Sequence, residues 1–415
     1  MGRPCLSRRC VHRAMPAPLK TDASLEALPT EILFKIFSSL DAPFIIEVVS
    51  KLCTRFADLL GDDSFWKAKL AATWPKPYPV PVAEDFDWKE ACIERERQFN
   101  QWTNWEDEMR SVHIRDAHFG SIHALLLMNG GSTCVTGSRD RSLKIWSFGD
   151  QDIAAEEGGR LLHSVYEAHE AWIWVLCTMG NTLMSSSFDA TLKLWDIESG
   201  LRELRSFTLV KQVLAMSQSD GEMILGCLGG LFYRYDPREP GEPSPCFTTR
   251  RGDAVVCMAA DDRLVLAGTV ASRLYTIDRR RWRSMENLGM SFKEDYPTAL
   301  SFDSRQLWMG TRSGSVRVVD MTTTPFKLLE TVDLSSLQEA RPGRVTGIRH
   351  TLGSVLVSFE HAPMVVLEPT LNPDVIFKGP ERQYVTCFDI EGGTLAVAHS
   401  EDLQIWRPKC EAEGV

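Results

Sequence analysis

His118, followed by Thr136-Gly137-Ser138-Arg139-Asp140-Arg141-Ser142-Leu143-Lys144-Ile145-Trp146, is the stretch on which the fold turns, because the chain repeats it. It recurs as His169 followed by Ser186-Ser187-Phe188-Asp189-Ala190-Thr191-Leu192-Lys193-Leu194-Trp195-Asp196. Weaker copies keep the apolar strand pattern and close at Tyr235-Asp236, Ile277-Asp278, Val319-Asp320 and Leu367-Glu368, and the last closes at Ile405-Trp406. The markers 146, 195, 235, 277, 319, 367 and 406 are spaced by 49, 40, 42, 42, 48 and 39 residues. A period of about 40–45 residues is that of a four-stranded propeller blade. Seven such blades can close into a ring over 106–408. The seventh copy lacks room for a fourth strand, and residues 107–115, upstream of the first copy, can supply it and so remove the exposed sheet edges.

The His, Ser, Asp and Trp of the first two copies resemble WD repeats, and the resemblance implies an all-β seven-bladed WD40 propeller. In that family the four side chains hydrogen-bond to brace the blade. His118, Ser138, Asp140 and Trp146, and likewise His169, Ser187, Asp189 and Trp195, are therefore expected to be structural rather than catalytic triads.

Outward toward the N-terminus the periodicity changes. In Leu28-Pro29-Thr30-Glu31-Ile32-Leu33-Phe34-Lys35-Ile36-Phe37-Ser38-Ser39-Leu40, apolar residues fall at 32, 33, 36, 37 and 40, which is helical spacing. Asp41 and Pro43 stop and restart the pattern. A second stripe follows at Phe44, Ile45, Val48, Val49 and Leu52, with Phe56, Leu59 and Leu60 after it, and Phe65, Trp66 and Leu70 mark a third short helix. The Leu-Pro start, Ile-Leu, Ile-Phe and downstream Phe-Trp resemble an F-box, the small all-α module that docks on the adaptor Skp1. The resemblance places Leu28, Pro29, Ile32, Leu33 and Ile36 on the docking face of a module spanning 25–72. So few residues cannot bury every apolar side chain internally, and a partner groove completes the surplus face. The other reading makes these residues a minor core.

Between head and ring, residues 73–105 carry Pro75, Pro77, Pro79 and Pro81 around Tyr78, which favours an extended segment. Asp87 through Trp102 then reads as one more amphipathic helix. Residues 1–24 hold Arg3, Arg8, Arg9, Arg13 and Lys20 against Asp22, a net +4 in a chain of net −10, and read as a disordered basic tail; 409–415 reads as a short tail. Cys5, Cys10 and His12 are too few ligands for a metal site on their own.

The overall negative charge argues against general affinity for nucleic acid, and no apolar run reaches the ~18–20 residues of a membrane span. Eleven cysteines without framework spacing, four of them (Cys134, Cys177, Cys257, Cys387) inside apolar runs, fit a reducing compartment, cytoplasmic or nuclear. No Gly-rich phosphate loop, metal cluster or nucleophile elbow stands out, so neither catalysis nor a cofactor is expected.

Head plus ring together resemble F-box/WD-repeat proteins. The family implies a non-catalytic substrate receptor that joins a protein substrate, through Skp1, to a cullin–RING ubiquitin ligase. The alternative is an interaction scaffold without a ligase role. Propellers bind at the turns after the Gly-Ser or Gly-Thr of each copy, which makes Arg139, Arg141 and Arg312 candidate substrate contacts, with Trp172 as an aromatic anchor. The positions matching Arg139 are Phe188, Leu228, Val270 and Glu360 in copies two, three, four and six, so a phosphate-reading ring of arginines is not expected. A solvated turn residue is the competing reading for each arginine.

Overall fold

The computed structural model describes residues 25–80, 86–148, 159–239, 241–249, 252–334, 343–379 and 384–409. The basic stretch 1–24 with Cys5, Cys10 and His12, together with Pro81 and residues 410–415, lies outside them. Two compact units divide the chain, 1–69 and 70–415.

In the first unit Pro29 (φ −55°, ψ 148°) holds the chain extended, and α1 (Thr30–Ser38) starts directly after it. The Pro29 carbonyl accepts the N–H groups of Ile32 and Leu33, both at 3.1 Å. Proline in the first turn suits the start of α2 (Ala42–Glu47). A 3₁₀ turn at Val49–Lys51 leads to α3 (Thr54–Gly61) and α4 (Asp63–Thr73), and the boundary between the units falls within α4. Leu33, Phe37, Ile45, Phe56, Phe65 and Trp66 form the buried centre. Phe37 meets Phe56 edge-on at 5.1 Å and Phe34 meets Phe65 at 5.2 Å, the arrangement ring quadrupoles favour. Lys69 donates to the Ser38 and Leu40 carbonyls at 3.1 and 2.6 Å, satisfying groups that the end of α1 leaves without helical partners.

The second unit opens with α5 (Trp88–Thr103), whose Asp87 cap accepts the Glu90 N–H at 2.8 Å, and α6 (Trp105–Glu108). Seven antiparallel blades follow: blade 1 (122–165), blade 2 (173–208), blade 3 (213–248), blade 4 (255–291), blade 5 (297–333), blade 6 (345–378) and blade 7. All seven spacing markers lie on the third strand of a blade. Blade 7 takes three strands from 387–408 and its outer strand from Met109–Ile114, in the register Val112 opposite Ile405. Adjacent inner strands touch all the way round, closing the ring.

The glycine of the repeat has a packing reason. A Cβ on Gly137 would lie 2.6 Å from Ile173 Cγ2, and one on Gly226 would lie 2.6 Å from Val255 Cγ1. In both cases the neighbour is the first residue of the next blade's inner strand, and glycine lets the two sheets approach. Blade 4 departs from the four-strand pattern. Its outer strand is split into Arg283–Ser284 and Met290–Ser291, and both pieces pair with Arg273–Asp278.

The connecting segment is anchored on blades 6 and 7. Arg95 is buried under Trp74 and Tyr78, its guanidinium 4.8 and 5.4 Å from the ring centres, and it sits 3.6 Å from the Glu368 carboxylate. Tyr78 donates to the Leu352 carbonyl at 2.8 Å, and burial pushes its phenol up to about 12. Trp102 stacks on Trp105 at 4.6 Å, and both lie against Phe377. Gln101 donates to the Gly393 carbonyl at 3.1 Å. Leu352 and Gly393 belong to turns between first and second strands, so α5 is fixed to the end of the ring opposite the Arg139 turns.

Candidate functional site

In blade 1 the Trp146 indole, which can only donate, gives its N–H to the Thr136 hydroxyl at 3.0 Å. That hydroxyl lies 2.7 Å from His118 Nε2 and therefore donates to it. His118 Nδ1 then faces the Asp140 carboxylate at 3.0 Å and the Ser142 hydroxyl at 2.9 Å. Blade 2 repeats the relay through Trp195, Ser185, His169 and Asp189, at 2.8, 2.6 and 3.3 Å. The hydroxyls in the relay are thus Thr136 and Ser185, not Ser138 and Ser187. Ser138 instead donates to the Gly120 carbonyl at 2.7 Å, while both Ser138 and Ser187 accept backbone N–H groups, from Asp140 and Asp189 at 3.1 and 3.2 Å. Alternate residues of a strand share a face, so Thr136 and Ser138 are equivalent to the eye in the sequence and only the strand pairing separates them.

Electrostatics agree with a neutral histidine. Burial lowers the pKa of His118 and takes that of His169 down to about 4. Burial pushes the Asp140 carboxyl up, but hydrogen bonds from His118 and Ser142 outweigh it and hold it below the carboxylate range. Thr136 and Ser185 are completely buried and already committed as donors, so neither can serve as a nucleophile toward an outside substrate. The aspartates also shape the surface: Asp140 accepts the Phe119 N–H and Asp189 the Glu170 N–H, each at 2.9 Å.

Six blades share a further bond at this end of the ring. The N–H just after the second strand donates to the carbonyl just before the inner strand. The pairs are Arg139 to Ser121, Phe188 to Trp172, Leu228 to Gln212, Val270 to Ala254, Arg312 to Tyr296 and Glu360 to Arg344, at 2.8–3.2 Å. These residues are therefore equivalent positions around the channel mouth. The Arg139 guanidinium carbon lies over the Trp172 ring, 3.7 Å from its centre, and Trp172 meets Phe188 edge-on at 5.7 Å. Phe188 in turn meets Trp174, and Trp174 lies against His123, both at 5.1 Å, which carries an aromatic series from the turns into the channel. Burial, with Arg139 and Arg344 nearby, lowers His123 to about 4. Arg312 sits 5.6 Å above Tyr296. Arg141, at positive φ (72°), pairs with Glu167 at 3.0 Å, and Arg344 pairs with Glu360 at 3.3 Å. Phe119 (89% exposed), Val210 (74%) and Tyr384 (57%) also stand in loops at this end and were not singled out from sequence. No local signal in the sequence marks them: Val210 and Tyr384 adjoin buried Leu209 and Val385.

The head presents a second surface. Ile32 (42% exposed) and Ile36 (37%) face out beside exposed Pro29 and half-buried Leu28, but Leu33 is fully buried and belongs to the core with Phe37. Phe44, Val48 and Leu52 are exposed as well and extend the apolar set. Among the described residues no three His, Cys, Asp or Glu side chains cluster as metal ligands, and no helix is long and apolar enough to cross a membrane.

A helical head with an exposed apolar face, followed by a seven-bladed ring braced in this way, resembles F-box/WD-repeat proteins. The F-box-like family matches residues 25–70, and the WD domain, G-beta repeat family matches 109–147 and 159–196. More particularly, the chain is similar to F-box/WD repeat-containing protein 9 of Bos taurus, 28% identical over 402 residues that cover 95% of this chain and 85% of that one. It is also 26% identical over 184 residues to the probable E3 ubiquitin ligase complex SCF subunit sconB of Arthroderma otae, covering 43% of this chain and 23% of that protein. The solved structure of U3-55K superposes with a TM-score of 0.60 at 14% identity, covering 73% of this chain and 98% of that one, a likeness of fold.

Proposed function

We propose that this chain is the substrate-recognition subunit of a Skp1–cullin–F-box ubiquitin ligase. The observation that carries the reading is the apolar face of the head. Ile32, Ile36, Phe44, Val48 and Leu52 remain exposed although Leu33, Phe37, Phe56 and Trp66 already fill the centre. Apolar side chains left over in this way are what a partner groove covers. Likeness to the F-box supports Skp1 as that partner, and likeness to the Arthroderma otae SCF subunit supports the ligase context. The ring contributes binding alone, through the turns that carry Arg139, Trp172 and Arg312. Ubiquitin transfer is then accelerated by holding substrate near a charged conjugating enzyme, a proximity effect supplied by the scaffold.

Co-purification tests the reading. Wild-type chain is expected to recover Skp1 and a cullin, and Ile32→Asp with Leu52→Asp is expected to reduce recovery more than tenfold at an unchanged melting temperature. Leu33→Ala is expected to act differently, destabilising the head by about 2–5 kcal/mol through a core cavity. Undiminished recovery by the double variant refutes the docking face. Skp1 recovery without a cullin, and without ubiquitylation of any bound protein, favours an interaction scaffold.

A further inference from the structure

The equivalent positions at the channel mouth sort by chemistry into an arc. Blades 2, 3 and 4 present Phe188, Leu228 and Val270 in succession, with Trp172 beside the first; Leu228 and Val270 are each more than 40% exposed. Blades 1 and 5, which bound the arc, present Arg139 and Arg312. Among the described residues no carboxylate pairs with either arginine; each lies over an aromatic ring. Arg141 and Arg344 of this rim are neutralised locally, by Glu167 and Glu360, and exposed Lys211 adds one cation beside the Leu228 turn of blade 3.

In a seven-fold ring, blades 1 and 5 stand nearly opposite each other across the channel. One phosphate cannot reach both guanidiniums, and tight phosphate recognition needs several such donors converging on it. Equivalent positions that are apolar through blades 2–4 and flanked by two separated arginines suit a different ligand. We infer that the arc seats an extended protein segment that lays consecutive large apolar side chains across blades 2–4 and places a carboxylate near each end, with no requirement for phosphorylation. This rests on the receptor reading and specifies the class of segment such a receptor reads.

The test uses the full chain and a synthetic array of twelve-residue peptides in three sets. One set has large apolar residues flanked by Asp or Glu, one has the same residues flanked by Lys, and one has phosphoserine peptides lacking large apolar residues. Retention of the acid-flanked set is expected, with affinities then measured by fluorescence anisotropy. Leu228→Asp with Val270→Asp is expected to weaken binding at least tenfold without lowering the melting temperature. Arg139→Ala with Arg312→Ala is expected to weaken it and flatten its salt dependence. Preference for the phosphoserine set, no retention of the acid-flanked set, or unchanged affinity in the arc variant each overturns the inference. Skp1 recovery is measured on the same preparations. If wild type binds the peptides but not Skp1, the ligase reading fails while the arc stands.

Discussion

Thr136→Val isolates one atom of the blade 1 brace. Valine keeps the branched shape and removes only the hydroxyl oxygen that accepts from Trp146 at 3.0 Å and serves His118 Nε2 at 2.7 Å. Both partners are buried, and the carboxylate of Asp140 on the far side of the ring fixes the histidine tautomer, so neither orphan can turn to water. A buried polar group left unpaired costs about 1–3 kcal/mol, which puts the pair at about 2–6 kcal/mol. For a domain of this size each kcal/mol lowers Tm by about 2 °C, so the variant is expected to melt about 4–12 °C below wild type by scanning calorimetry. Ser138→Ala is the matched control. Its hydroxyl serves the Gly120 carbonyl and the Asp140 N–H, loop groups that are only partly buried, and a loss of about 1 kcal/mol is expected. A Thr136→Val variant within about 0.5 kcal/mol of wild type, or one less affected than Ser138→Ala, refutes the relay as the source of stability.

Acid should loosen the same braces. The folded pKa of His169, about 4, lies below the ordinary value of 6.5, so the unfolded chain takes up the proton first. The stability this histidine contributes is complete above pH 6.5 and is lost as the pH falls toward 4, a total of about 3 kcal/mol at about 1.4 kcal/mol per unit. Urea midpoints at pH 7, 6 and 5 should fall progressively, and less steeply in His169→Asn; equal slopes would contradict the assignment. Arg95→Leu takes the buried guanidinium from between Trp74 and Tyr78 and from Glu368, which keeps Lys76 at 3.8 Å, and should cost about 1–3 kcal/mol, read as a lower urea midpoint; an unchanged midpoint would deny Arg95 its anchoring role. Val112→Asp buries a carboxylate in the strand that closes blade 7 and should lower the melting temperature by more than 8 °C at about 4 kcal/mol or more. Arg110→Asp, at an exposed position of the same strand, should change stability by less than about 0.5 kcal/mol, and equal effects of the two would deny the strand its closing role.

The ring was legible because each blade solves the same packing problem. A third strand must close every sheet, so an apolar-plus-acidic ending recurs even where the His and Trp are gone. Blade 4 shows the limit. Its outer strand breaks at Met285–Gly289, and outer strands carry little burial pattern to read. In the head, a helical stripe at 32, 33, 36 and 37 defines a broad face but not which edge of it turns inward; packing sent Leu33 and Phe37 in and left Ile32 and Ile36 out. Phe44, Val48 and Leu52 read as a continuous helix, whereas the chain switches from α2 to a 3₁₀ turn there and so rotates them off the 3.6-residue repeat. Arg139 and Arg141 lie at a turn of blade 1, but their neighbours come from the next blade and the loop before it. Nothing local in the chain says that Arg139 will lie on Trp172 or that Arg141 will meet Glu167.

The outer strand of blade 7 has a consequence for synthesis. Met109–Ile114 is made long before its partner Asp402–Pro408. At about 5–20 residues per second, translation leaves that strand edge unpaired for tens of seconds, with Met109 and Val112 uncovered. A nascent chain therefore cannot complete its ring before Asp402–Pro408 emerges. A message truncated even a few codons before Trp406 yields an open ring with two bare edges, a product for chaperones and proteases rather than a slightly shorter ring.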